Sequence, residues 1–248
     1  LTLLLRHNYI PAPYSIYQNI LKLIPGSILQ IHRGILPGNF PAPVAYWNIK
    51  AVAEAGFSHP VELSDDEAID RLDELLRKSI RNKMISDVPL GAFLSGGYDS
   101  SAVVALMQAE SAQKVKTFSI GFHEDAYNEA NHAKRVALHL GTDHTELYVT
   151  AEQAMDVIPR ITHTYDEPFS DASQIPMMLV SEMTKQYVTV ALSGDGGDEL
   201  LAGYDRYFFA DMLWKKAGRI PYPLRKLLSS GIKNISPTLL SSAFGRVT

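Results

Sequence analysis

Two short apolar runs in this chain each end on a glycine-rich loop, and that repetition constrains the fold more than any other feature. Gly91-Ala92-Phe93-Leu94 leads into Ser95-Gly96-Gly97-Tyr98-Asp99-Ser100, and Tyr187-Val188-Thr189-Val190-Ala191-Leu192 leads into Ser193-Gly194-Asp195-Gly196-Gly197-Asp198-Glu199. Apolar runs of this length bounded by glycine read as buried strands. Val115 to Phe122 and His144 to Val149 read as two more strands, while Ser101 to Met107, Asn128 to Leu140, Glu152 to Thr164 and Ile175 to Gln186 have helix length and spacing. Gly141 stands where a helix favours a left-handed closing residue. Upstream, Ser64 and Glu67 have the spacing of a capping box, and Ile69, Leu72, Leu75, Leu76 and Ile80 then recur at helical intervals. The expected fold class is α/β, a parallel sheet with helices on both faces. Such a sheet binds ligands beyond the carboxyl ends of its strands.

Residues 1–58 have another texture. Proline interrupts them at Ile10-Pro11-Ala12-Pro13, Ile24-Pro25-Gly26, Leu36-Pro37-Gly38 and Phe40-Pro41-Ala42-Pro43, and Ser27 to His32 reads as a strand. This stretch is expected to be a small, incomplete β-rich unit with an extended linker and no catalytic residues. The chain starts on Leu1 and stops at Ser241 to Thr248 without a closing element, which reads as a piece of a longer protein. No apolar run approaches the ~18 residues of a membrane helix, and Leu1 to Leu5 lacks a preceding basic region, so neither an anchor nor a signal peptide is expected. A formal net charge of −4 is a poor basis for general nucleic-acid binding. With no cysteine, thiolate metal sites, disulfides and thiol nucleophiles are excluded, and a reducing cytoplasm is compatible.

The chemistry lies in the two loops. In the first, Gly96 and Gly97 let backbone approach an anion, serines add donors and the following helix adds positive charge at its N-terminus. Asp99 makes sense beside phosphate if a divalent cation bridges them. The loop is not a Walker A sequence, since no Gly-Lys-Ser/Thr follows. Read alone, it is equally a structural turn. The second loop packs three glycines and three acids into seven residues, a repulsive set unless a cation or polar ligand offsets it.

Ser95-Gly96-Gly97-Tyr98-Asp99-Ser100-Ser101 resembles the pyrophosphate loop of the N-type ATP pyrophosphatases, whose fold is adenine-nucleotide α-hydrolase-like. Joined by Phe118-Ser119-Ile120-Gly121-Phe122, Tyr165-Asp166-Glu167-Pro168, the second loop and Gly203-Tyr204, it resembles the synthetase domain of glutamine-hydrolysing asparagine synthetases, from about Ser64 to Tyr207. The resemblance implies a synthetase domain over 59–248, incomplete at its C-terminus, preceded over 1–58 by the tail and linker of an N-terminal glutaminase domain. It implies adenylation of the aspartate side-chain carboxylate by ATP, release of pyrophosphate, and displacement of AMP by ammonia drawn from glutamine. By that resemblance Ser95, Gly96, Gly97, Ser100 and Ser101 cradle pyrophosphate, and Asp99 and Asp198 hold Mg²⁺. Leu94, Ile120, Ser193 and Gly194 line the adenine and ribose pocket, Asp195 serves adenylation and ammonia attack, and Asp166 and Ser173 face the substrate.

The family's catalytic cysteine and its basic, aromatic C-terminal segment are not found here, and Phe169 to Gln174 lacks the basic residue that well-known members carry near Asp171. The acceptor therefore stays open between aspartate and another carboxylate, as in a β-lactam synthetase or a sugar-acid amidating enzyme. A nucleotide-binding fragment without turnover is the third reading. A homodimer is compatible with the resemblance. His139 and His144 lack metal-ligand spacing, Met177 and Met178 read as core, and Tyr204 to Phe209 reads as a packing helix in preference to an RNA platform.

Overall fold

The computed structural model describes residues 1–36, 38–123 and 129–233. The chain divides into two compact units, Leu1–Gly194 and Asp195–Thr248.

The first unit is built on β3 (Leu90–Phe93), β4 (Lys116–Phe122), β5 (Asp143–Val149) and β6 (Val190–Leu192). All three pairings are parallel, in the order β5-β4-β3-β6. Alternation of side chains along the strands sends successive residues to opposite faces. Ala92 and Leu94 pack with Ile80 of α3 (Asp65–Lys83), Val104 and Met107 of α4 (Tyr98–Glu110), and Ala133 and Ala137 of α5 (Ala130–Leu140). Phe93, Phe118 and Ile120 pack instead with Met177, Val180 and Met183 of α7 (Gln174–Thr184). Helices therefore cover both faces, as the alternating pattern requires, and α6 (Ala151–Thr164) packs on α7.

The sequence signals at helix ends are realised. Ser64 and Glu67 form a reciprocal capping box, and Gly141 closes α5 in the left-handed region at φ 72°. The start expected for α5 at Asn128 lies outside the described residues. Arg81 ties α3 to α4 through two hydrogen bonds to Glu110, of 2.9 and 3.1 Å. Met177 packs against the core, as expected of it, and His144 is nearly buried. His144 shares hydrogen bonds with the hydroxyls of Thr117 (2.9 Å) and Ser119 (3.2 Å), and burial holds its imidazole below the ordinary histidine value.

Three expectations need correction. The last strand covers Val190–Leu192 and not Tyr187 to Leu192, because Tyr187 and Val188 donate their N–H groups back to Thr184 in a turn that closes α7. The β character expected of residues 1–58 shrinks to the antiparallel pair β1 (Ser27–Ile28) and β2 (Val44–Ala45), while α1 (Thr2–His7) and α2 (Ile49–Ser58) take more of the segment. Proline removes ladder donors on both sides of these strands. Finally, only Ile80 of α3 is buried, so the apolar stripe begun by Ile69 meets the core at its C-terminal end.

The second unit holds α8 (Gly197–Leu201), α9 (Asp205–Gly218) and α10 (Tyr222–Lys233). No residue of α8 or α9 is buried, and Arg225 lies 5.7 Å from the Trp214 ring centroid. No helix among the described residues is long and apolar enough to cross a membrane.

Candidate functional site

In chain order the sheet grows from β3 outward through β4 to β5, and the chain then returns to place β6 on the other side of β3. That reversal is a topological switch point, where strand ends splay their connections apart and leave a crevice. Both glycine-rich loops leave the sheet there, one from β3 and one from β6.

The loop after β3 is held by its own atoms. Leu94, 1% exposed, donates its N–H to the Phe118 carbonyl at 2.8 Å and anchors the loop to the sheet. The Ser100 hydroxyl takes the Ser95 N–H at 3.2 Å and lies 2.9 Å from the Ser95 hydroxyl, which in turn accepts from Gly97 N–H at 3.3 Å. Ser100 thus braces the loop. Gly96 sits at φ 84°, and a Cβ there would lie 2.6 Å from the Ala133 nitrogen of α5, so both turn and close approach demand glycine. Helix α4 opens at Gly97 without a side-chain cap. Its early N–H groups carry the partial positive charge of a helix start. Asp99 is half-buried in that first turn, and the Ser101 hydroxyl is buried with no hydrogen-bond partner among the described residues.

The second loop touches the first at its beginning. A Cβ on Gly194 would lie 2.7 Å from the Ser100 nitrogen and 3.0 Å from the Asp99 carbonyl carbon, so Gly194 backbone abuts the first turn of α4. Ser193 and Gly194 are thereby brought to Asp99 and Ser100. Ile120 belongs to the α7-side core, near the carboxyl end of β4.

Asp195 and Asp198 fall in the second unit. Gly196 turns the chain at φ 92°, Asp198 and Glu199 stand in the first turn of α8, and the Gly203 N–H bonds to the Asp198 carbonyl at 3.0 Å. A Cβ at Gly203 would meet the Asp198 carboxylate, so a side chain there would displace that carboxylate. Tyr204 donates to Glu199 at 2.7 Å; this lowers the Glu199 carboxyl and, with the phenol held protonated, pushes Tyr204 up to about 12. No group of three or more histidines and acids able to hold a metal occurs among the described residues.

Asp166 and Ser173 stand near the two ends of the loop between α6 and α7, both exposed. The Ser173 N–H donates to the Asp171 carboxylate at 2.8 Å, which lowers that carboxyl below its usual range. The anchors that sequence reading missed come from residues 8–22. Lys22 meets Glu167 at 2.5 Å, Tyr17 donates its hydroxyl to the Asp166 carbonyl at 3.1 Å, and Ser170 N–H donates to the Asn8 carbonyl at 2.7 Å. No local pattern could have announced contacts across some 145 positions.

An open, all-parallel sheet with a glycine and serine loop opening a helix at its switch point defines an α/β protein of the nucleotide-binding architecture. Residues 71–246 match the asparagine synthase family model, and the chain belongs to that family. It is 34% identical over 220 residues to glutamine-hydrolyzing asparagine synthetase 1 of Bacillus subtilis, covering 89% of this chain and 33% of that protein. It is 39% identical over 199 residues to a putative glutamine-hydrolyzing asparagine synthetase 2 of Methanocaldococcus jannaschii, covering 79% of this chain and 36% of the relative. The chain thus spans about a third of the length of these curated relatives. Among solved structures, the NH3-dependent NAD synthetase of Campylobacter jejuni in complex with nitrate is similar at 16% identity and a TM-score of 0.39, over 70% of this chain and 90% of that one.

Proposed function

We propose that this chain is the nucleotide-using part of an enzyme that forms an amide from a carboxylate, with aspartate as acceptor and asparagine as product. A carboxylate oxygen of the acceptor attacks the α-phosphorus of ATP, and the bond to the β-phosphate bridging oxygen breaks. Pyrophosphate leaves. Ammonia then attacks the acyl carbon and AMP departs with the oxygen that carried it. In the full-length protein a glutaminase domain supplies the ammonia.

The observation that carries this reading is the unpartnered, buried Ser101 hydroxyl beside the uncapped start of α4. A buried hydroxyl without a partner costs stability unless something completes it, and a bound phosphate oxygen would do so. Ser95, Gly96, Gly97 and Ser101 hold the pyrophosphate; Ser100 fixes their loop. Ile120, Ser193 and Gly194 border the nucleoside, and Leu94, whose side chain is buried in the other core, contributes backbone only. Asp99, in the first turn of α4, and Asp198, in the first turn of α8, are the carboxylates that the family resemblance puts forward to hold Mg²⁺. When bound, such an ion would supply charge neutralisation for the departing pyrophosphate. Asp195 accepts a proton from, or stabilises, the attacking nitrogen as it becomes cationic. Two acids exposed between α6 and α7, Asp166 and Asp171, favour an acceptor that bears an ammonium group, as aspartate does, over a sugar acid that bears none.

ATP–pyrophosphate exchange in the full-length protein tests the proposal. Aspartate is expected to support exchange, and Asp99→Asn and Asp198→Asn are each expected to abolish its Mg²⁺-dependent component. Exchange with uronic acids but not aspartate would replace the acceptor, and wild-type rates in both variants would remove the metal role.

A further inference from the structure

The long-range hydrogen bonds described for the loop from Tyr165 to Ser173 come from one segment, residues 8–22. Glu167 is the centre of that contact. One carboxylate oxygen accepts the Ile16 N–H at 3.1 Å and the other meets Lys22 Nζ at 2.5 Å. Lys22 Nζ also donates to the Ile10 carbonyl at 2.6 Å, and Ile10 is the one residue among 8–22 that is buried, at 3% exposure. The Glu167 side chain is 17% exposed against 38% for Lys22, so this pair is shielded more than a surface ion pair of ordinary kind. Beside it lies a cleft of about 760 Å³, bordered by Tyr9, Ile10, Tyr17, Lys22, Glu167 and Phe169. Tyr165 meets Phe169 edge-on at 4.9 Å, which stiffens the loop from within.

The consequence falls on Asp166. Its neighbour Glu167 is turned into the strap and its own carbonyl is held by Tyr17, while its carboxylate is left exposed. We propose that Lys22 and Glu167 form a latch through which residues 8–22 fix the acceptor loop, with Glu167 a positioning residue that sets affinity for the carboxylate substrate and not for the nucleotide. This rests on the functional reading above. It assigns to a segment outside the nucleotide fold a part in acceptor recognition. A charge-assisted contact that orders a loop is lost as a unit when either partner is neutralised, and the loop's residual freedom is then taken from binding.

The test uses full-length Lys22→Met, Glu167→Gln and Lys22→Arg, with aspartate and ATP varied separately in pyrophosphate exchange. Neutralising either partner is expected to raise the aspartate KM about tenfold while the ATP KM stays within about twofold, and Lys22→Arg is expected to recover most of the loss. Amide hydrogen exchange gives a readout independent of turnover. The Ile16 and Ser170 amides are expected to exchange about tenfold faster in Lys22→Met, with β3 and β4 amides still protected. An unchanged aspartate KM, an equal rise in both KM values, unchanged amides at 16 and 170, or loss of protection in β3 and β4 would each overturn the latch. If the wild-type protein gives no exchange with aspartate, the functional reading fails by itself, and the amide measurement alone then decides the latch.

Discussion

The loop after β3 and the loop between α6 and α7 reach order by opposite means. The first is closed by serines five positions apart, a glycine pressed on α5 and a helix that starts within it. The second depends on partners from residues 8–22, some 145 to 162 positions away in sequence. A locally closed loop forms with the strand and helix that flank it, whereas a loop held at long range requires the chain to be brought back first, at the cost of closing a large loop. The part of the site proposed to grip the phosphates is held within the sheet and the helices packed on it. The part proposed to face the acceptor is held from outside the sheet, where its position can be changed without disturbing the nucleotide fold.

This contrast can be broken at several points. Gly96→Val should have the largest effect. It forces a branched side chain to positive φ and into α5 backbone, so about 3 kcal/mol of stability should be lost, read as a lower denaturant midpoint. The two adjacent serines should then separate. Ser100→Ala removes the brace and should cost about 1 kcal/mol, whereas Ser101→Ala deletes a buried, unpartnered hydroxyl, should raise the stability of the ligand-free protein by about 1 kcal/mol, and should raise the ATP KM. The opposite pattern would exchange their roles. The smallest effect concerns pH. The fold holds the His144 imidazole neutral, mainly because it is buried, so its contribution is complete above the ordinary value of 6.5 and is lost as pH falls through the lowered folded value. Urea midpoints should therefore decline modestly below that pH, and His144→Gln should flatten the decline; a slope unchanged in that variant would assign it to other groups.

How much was legible follows the same division. The strand order could not be read, but the strands β3, β4 and β5 could, because their apolar runs are bounded by turns, and the cap of α3 could, because its donor and acceptor are three residues apart. Ser100 was legible as a loop residue and not as its brace, since the distinction rests on where one hydroxyl points. Tyr187 and Val188 read as strand by composition, yet the chain is still leaving α7 there, and backbone hydrogen bonds to Thr184 outweigh β propensity. Asp166 and Ser173 were put forward through a family resemblance, but Lys22 was not, because one lysine in a proline-broken stretch carries no pattern. Residues 1–58 misled for another reason: the prolines between 11 and 43 drew the reading to strands, whereas the helices form in the proline-free ends, Thr2–His7 and Ile49–Ser58.

The family match begins at residue 71, and the sequence offers its most inviting place to cut just before it, at the Ser64 cap. A fragment trimmed there would keep every glycine and serine of the first loop. It would also discard Lys22, the Ile10 carbonyl and the Asn8 carbonyl, and leave Glu167 as a half-buried charge with no cation to meet it. For anyone dividing this protein into pieces, the working boundary lies upstream of the strap, and a trimmed piece that still binds ATP would give a false report of an intact acceptor side.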